Sequence, residues 1–420
     1  MAFLTFLAYE GPTGFWETPW AALILGLFDF IKDYGWRIVL FTLILKLLLS
    51  PLDIYQRVAM RKNQRITERL KPDLEKLEKQ YSSNPKVLQA KKAELNKREG
   101  VKMAAGCLPM LLTLIISMWL LMGGLNPISQ YKNMEQYLKI YEVYTAAETA
   151  EMVEHDQVYK VAGGKLVLDA EGYPILNFEF EEEPEKLATE DLVAYNALLD
   201  EFNRLEAIAI SAVRKVAQDD VVEAYWTGKK GFNDDKPIQE GFLWVKNIWV
   251  TDAPWAKPVM DETAFLTAVA AYGKSPSRMH LEMSQREFDA IMEKYSMVTE
   301  KLVASEDNKS NGFLVLPILS IAVSIGSQML MRRLQKKSGQ LGTGAGQGKM
   351  MAYMMPVMFG VFALMFTTAF SLYMITNSLV MIIISLAASF IMRLSDKRGD
   401  PVKQTDEGVV RYGRPDPNKK

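Results

Sequence analysis

The chain has 420 residues, with 49 Lys and Arg against 50 Asp and Glu, a formal net charge of −1, two histidines and one cysteine. The lone Cys107 excludes a disulfide framework, and neither His155 nor His280 has neighbours at metal-ligand spacing, so no metal or other cofactor is expected. The near-zero total hides a segregation by segment. Residues 53–105 carry a net charge of +7, residues 332–350 carry five basic residues and no acid, residues 393–420 carry +3, and residues 126–312 carry −15. Apolar residues are bunched in the same blocks, at Trp36–Leu52, Cys107–Leu125, Phe313–Met331, Met351–Phe366 and Ser371–Met392. Basic and acidic blocks alternate across these runs. The positive-inside rule therefore predicts an α-helical polytopic membrane protein of five spans, N-terminus outside and C-terminus cytoplasmic.

The opening MAFLTFLAYEG has no basic n-region and no small-residue cleavage site, and is read as containing no signal peptide. Within residues 1–35, Trp20–Ile31 is apolar but short, and Trp16 and Trp20 predict a helix lying in the outer interface. The first span, 36–52, reaches about 25 Å as a helix. It contains Lys46, a cation that costs roughly 2.5–3.5 kcal/mol at such depth. Thr42, Lys46 and Ser50 are four apart and share one side, against a Leu, Ile, Val and Phe surface opposite. Two readings compete: Lys46 snorkels about 9 Å to the inner surface, or it lines a watery cavity.

Residues 53–105 read as a cytoplasmic basic helical hairpin. Ile66, Leu70, Leu74, Leu77 and Tyr81 form a coiled-coil-like seam, Ser82-Ser83-Asn84-Pro85 breaks the helix, and Leu88 and Leu95 lie on the returning arm. Arg57, Arg61, Lys62 and Arg65 head its contact face. Such charge suits RNA or anionic lipid, without base-specific recognition. The second span, 106–125, carries Thr113.

Residues 126–312 form an acidic extracytoplasmic insert of α+β character. A helix is expected over Ile128–Met152, strands around Gln157–Val161, Lys165–Asp169 and Ile175–Phe180 with a turn at Gly163-Gly164, and helices over Glu190–Gln218 and Ser284–Val303. Its own signals and acid excess predict a semi-independent module over 126–240. The third span, 313–331, repeats Ser320, Ser324, Ser327 and Gln328 on one face. A linker, 332–350, precedes the fourth and fifth spans, 351–392, and the latter aligns Tyr373, Thr376 and Asn377. Each stripe alone suits helix–helix contact; together with Lys46 they predict a shared polar cavity. Gly342–Lys349 looks like a phosphate loop, but Thr343 and Met350 stand where that motif needs glycine and Ser/Thr. The spans themselves hold no Asp, Glu or His, so Lys46 is read as lacking an intramembrane counter-ion, and proton relays and intramembrane proteases are excluded.

Several motifs in this order resemble the YidC/Oxa/Alb family of membrane protein insertases. They are the cation-bearing span followed by Pro51-Leu52, then Lys71-Pro72-Asp73, Lys79-Gln80-Tyr81, Arg98-Glu99-Gly100-Val101 and Gly106-Cys107-Leu108-Pro109. Phe242-Leu243-Trp244-Val245-Lys246-Asn247-Ile248 through Asp252, Leu316-Pro317-Ile318-Leu319 and Met355-Pro356-Val357-Met358 complete the set. The resemblance implies five core spans around a hydrophilic groove, open to cytoplasm and lipid and closed outside. Nascent membrane proteins are its clients, and a hydrophobic client segment leaves along the third and fifth spans. It implies no covalent chemistry. Partners on this reading are the ribosome through the basic hairpin and tail, membrane lipids and, as an open choice, the Sec translocon. Lys46 stands where the family usually has arginine, Thr113 where many members have glutamine, Ile115 where they have proline, and Thr367-Thr368-Ala369 lacks the usual Pro-Gly. The competing function is a small-solute channel or transporter using the same polar face; no inverted repeat supports it.

Overall fold

The computed structural model describes residues 28, 30–99, 115–116, 124–178, 189–231, 236–270, 273, 275–279, 281–337, 364 and 366–397. Helix dominates. The first element, α1, runs unbroken over Tyr34–Gln80 and is capped by Asp33, whose side chain accepts from the Gly35 N–H at 2.8 Å. The expected first span and first hairpin arm are thus one helix, with Pro51 and Pro72 inside it. Pro51 cannot bond the carbonyl four residues back, that of Leu47. The Ser50 hydroxyl donates to that same carbonyl at 2.8 Å, which satisfies the orphaned group and lets the helix continue.

The break at Ser82–Asn84 occurs where the sequence predicts it. Asn84 caps α2 (Pro85–Arg98) with Pro85 in the first turn. Leu70 and Leu95 are buried, and Lys92 pairs with Glu78 across the hairpin at 2.5 Å.

The insert opens with α3 (Asn126–Glu154). Strands are shorter than expected: β1 (Val161–Ala162) pairs antiparallel with β2 (Lys165–Leu166), extended only by isolated bridges at Tyr159–Leu176 and Leu168–Pro174. Gly163 and Gly164 both have positive φ, 61° and 73°, which the two-residue hairpin turn requires. Helix α4 spans Thr189–Thr227, longer than expected, and α5 spans Glu262–Ala268. The single helix predicted over Ser284–Val303 is two, α6 (Gln285–Glu293) and α7 (Tyr295–Ala304), meeting at Lys294. Tyr137, Ala217, Val221, Tyr225, Phe265, Phe288, Tyr295, Val298 and Leu302 fill this core, with Tyr295 stacked on Phe265 at 4.0 Å.

Among the described residues two more apolar helices follow, α8 (Val315–Lys337) and α9 (Thr368–Lys397). Among the described residues Tyr34–Tyr55 and Thr368–Phe390 are long and apolar enough to cross a membrane, and Val315–Leu330 is a shorter apolar helix. Helix α9 packs against both α1 and α8. The interfacial helix expected over 20–31 lies outside the described residues apart from Phe28, Phe30 and Ile31; the second and fourth spans, linker and tail lie outside them apart from 115–116, 124–125, 332–337, 364, 366 and 393–397.

Candidate functional site

Residues 240–252 form a strap on which four helices begin. Asp252 accepts the Phe313 N–H at 2.8 Å and the Leu316 N–H at 2.7 Å, placing a carboxylate on the N-terminus of α8, where the helix dipole favours an anion. The N–H groups of Thr368 and Ala369, at the start of α9, donate to Val250 and Ile248 carbonyls at 3.0 Å each. Ser129, in the first turn of α3, donates to the Trp249 carbonyl at 3.0 Å. At the start of α1, Tyr34 and Trp36 meet Trp249 and Phe242 edge-on, with centroids 5.7 and 5.6 Å apart. Asn311, just before α8, locks the strap from outside: the Asn247 N–H donates to the Asn311 side chain at 2.7 Å, whose amide donates back to the Asn247 carbonyl at 2.8 Å. Ile38, Phe41, Leu125, Ile128, Leu316 and Phe370 bury the strap's apolar side.

A buried ionic knot joins the strap to the insert. Lys132 of α3 lies 2.5 Å from Glu135 and 2.6 Å from Glu240, and donates to the Tyr34 hydroxyl at 3.2 Å. Trp249 donates its indole N–H to Glu240. Burial opposes the Lys132 charge, but the Glu240 and Glu135 carboxylates more than offset it and hold the ammonium well above the ordinary lysine value. Burial likewise raises Glu135, yet Lys132 and Lys139 outweigh it and bring that carboxyl down to about 2. Sequence reading missed this knot, because Tyr34, the Lys132–Glu135 pair and Glu240 lie in three distant segments and none of these residues belongs to a quoted motif.

Beneath the strap, along α1, lies the polar face. Lys46 is 2% exposed and Thr42 fully buried, while Leu48 on the other side is 75% exposed. Thr42 donates to the Ile38 carbonyl at 2.7 Å, so its hydroxyl is used within its own helix. Ser50 is half-buried and repairs the Pro51 gap. On α8, Ser320 bonds the Pro317 carbonyl, and Ser324 meets Ser378 of α9 at 3.1 Å, a direct bond between helices. Gln328, Thr376 and Asn377 are half-buried. The Oδ1 of Asn377 has no hydrogen-bond partner. Tyr373 is buried in the apolar cluster near the strap rather than on an open face. Thr113 lies outside the described residues, as do the side chains of Arg57, Arg61, Lys62 and Arg65 on α1.

One charged residue changes the sequence reading. Asp53, assigned to the hairpin, is 3% exposed, sits seven residues from Lys46 on the same helical face, and is near enough to act on it electrostatically. Lys46 therefore has an anion close by, just beyond the expected span boundary. The seven-residue spacing was a signal that could have found it. Among the described residues no group of three or more His, Cys, Asp and Glu is arranged to hold a metal.

This is a helical membrane protein in which α1, α3, α8 and α9 start from a common strap and a buried polar face carries a cation. The chain matches the family described as "60Kd inner membrane protein" over residues 26–149 and 235–394, and it belongs to that family. Among curated proteins named "Membrane protein insertase YidC", it is 34% identical over 113 residues to that of Wolinella succinogenes, covering 27% of this chain and 20% of the relative. The relative from Roseobacter denitrificans is 40% identical over 87 residues, 21% of this chain and 14% of that protein. For Clostridium tetani the figures are 35% over 99 residues, 23% and 43%. The matched stretch thus spans less than half of each relative's length. No solved structure matches the chain.

Proposed function

We propose that the protein is a membrane protein insertase and folding chaperone, acting without covalent chemistry through a polar groove walled by α1, α8 and α9. The reading rests on Lys46: a buried cation in an apolar membrane helix, within a family whose curated relatives are named as insertases. A fixed cation at that depth lowers the cost of a short polar or acidic client segment entering the low-dielectric region. The strap supplies the outer closure, because it occupies the end at which α1, α8 and α9 all begin. Three helices that start at one end need two returning segments between them, which supports five spans with the apolar runs in 106–125 and 351–366 as the returns. On this reading the insert and N-terminus are outside and the basic hairpin, linker and tail are cytoplasmic. The hairpin and tail face ribosomal RNA and anionic headgroups, and the Sec translocon is a candidate partner.

The channel alternative has no specific observation in its favour. Depleting the protein and following integration of newly made membrane proteins tests the choice. Failure of a subset of clients to integrate, with solute fluxes unchanged, is expected; normal integration with altered fluxes would overturn the insertase reading.

A further inference from the structure

From the pairing of buried charges on α1, we infer that Asp53 is a specificity-determining residue of the groove, screening client segments by charge at its cytoplasmic mouth. The inference rests on the insertase reading. Helix α1 presents one buried polar face from Thr42 to Asp53, about 16 Å at 1.5 Å per residue. Its flanks are exposed apolar residues, Leu47, Leu48, Ile54 and Tyr55. That face holds two full charges of opposite sign, Lys46 and Asp53, about 10 Å apart along the axis and both almost completely buried. A buried carboxylate is costly, and this one lies on the same helical face as the buried Lys46. On the five-span topology Asp53 lies on the cytoplasmic side of Lys46. A segment moving outward therefore passes a fixed anion before it reaches the cation. In poorly screened surroundings that order disfavours acidic residues at the mouth, favours basic ones, and tempers the attraction that Lys46 alone would exert on acids.

The test uses the full chain reconstituted in phosphatidylcholine vesicles. Three reporter clients are compared that differ only in the translocated segment, which carries Asp, Asn or Lys. Asp53→Asn should raise the ratio of acidic to basic reporter integrated, on the order of three- to tenfold, with the Asn reporter near its original yield. Asp53→Glu, which keeps the charge, should leave the ratio as in the parent. An equal change in all three reporters, or no change in the ratio, would overturn the assignment. So would failure of both Asp53→Asn and Asp53→Thr to accumulate while Asp53→Glu folds, since that marks a purely structural carboxylate. If the parent integrates no reporter above protein-free vesicles, the insertase reading itself fails, and that outcome is read before any variant.

Discussion

Gly312 shows how tightly the strap is set. A Cβ at this position would overlap the Oδ1 of Asp252, the oxygen that accepts the Phe313 N–H. Gly312→Ala must displace that carboxylate, and should destabilise the protein by roughly 1–3 kcal/mol, the usual range for overpacking. A fall in thermal midpoint in detergent is the readout, with a midpoint equal to the parent contradicting the geometry. The Lys132 knot makes a second case. Lys132→Ala leaves Glu135 and Glu240 facing each other without a cation and should cost about 3–5 kcal/mol, the range for breaking a buried pair. Its pH behaviour follows from the directions of shift. Glu135 is held at about 2 when folded, below its unfolded value, so its contribution is present above an ordinary glutamate pKa of about 4.3 and is lost as pH falls toward 2. Lys132 is held above its unfolded value, so its contribution persists throughout that window and is lost only far into the alkaline range. Burial raises the third member, Glu240, so its protonation favours the folded state as pH falls and offsets part of this loss. The melting midpoint should therefore drop mainly between about pH 4.3 and pH 2, and Glu135→Gln should flatten that drop. The polar face of Lys46 was legible from its spacing to Thr42 and Ser50, and the choice of a cavity over snorkelling only from the added stripes of the later spans. Asp53 was not, because counting it with the basic hairpin hid its register with Lys46.

At the scale of elements, helix periodicity and turn chemistry carried far. Asn84 and Pro85 produce the hairpin break, and Gly163-Gly164 the tight turn, because each residue type has one strong local use. The continuity of α1 was hidden for the opposite reason. Proline reads as a helix boundary, and only the Ser50 bond to the Leu47 carbonyl explains why Pro51 does not end this one. The polar stripes also divide by role. Thr42, Ser50 and Ser320 spend their hydroxyls on their own helices and Ser324 on Ser378, so much of the expected wet surface is helix-internal bonding or contact between helices. For the hairpin, reversing Arg61, Lys62 and Arg65 together should weaken ribosome or membrane-surface association, most visibly at low salt, while leaving the spans folded. Unchanged binding to both surfaces would reduce the basic face to a topology signal.

The whole molecule is more integrated than its composition implies. The insert reads as a separate acidic module, yet α3 contributes Ile128 to the strap cluster and Met134 and Tyr137 to the insert core, with Tyr131 packed against both. Residues 126–240 also lack Phe265, Phe288, Tyr295 and Leu302, which fill that core. A fragment of 126–240 should therefore show no cooperative thermal transition; a sharp transition would instead support the semi-independent module expected from sequence. Such long-range sharing leaves no local mark in a sequence. The topology is checked by single cysteines: those at Lys92 and Gly346 should be shielded from an impermeant thiol reagent in intact cells, and one at Asp235 labelled. The central claim is that a groove cation promotes client insertion, and Lys46→Leu tests it most directly. A lysine that merely snorkels would be replaced at a gain of a few kcal/mol in lipid, with activity kept. A groove lysine would be replaced with the protein still abundant but integration slowed, whereas Lys46→Arg preserves it. Protein level and integration of several clients, measured together in cells depending on this copy, should show normal abundance with impaired integration. Normal integration across those clients would contradict the account.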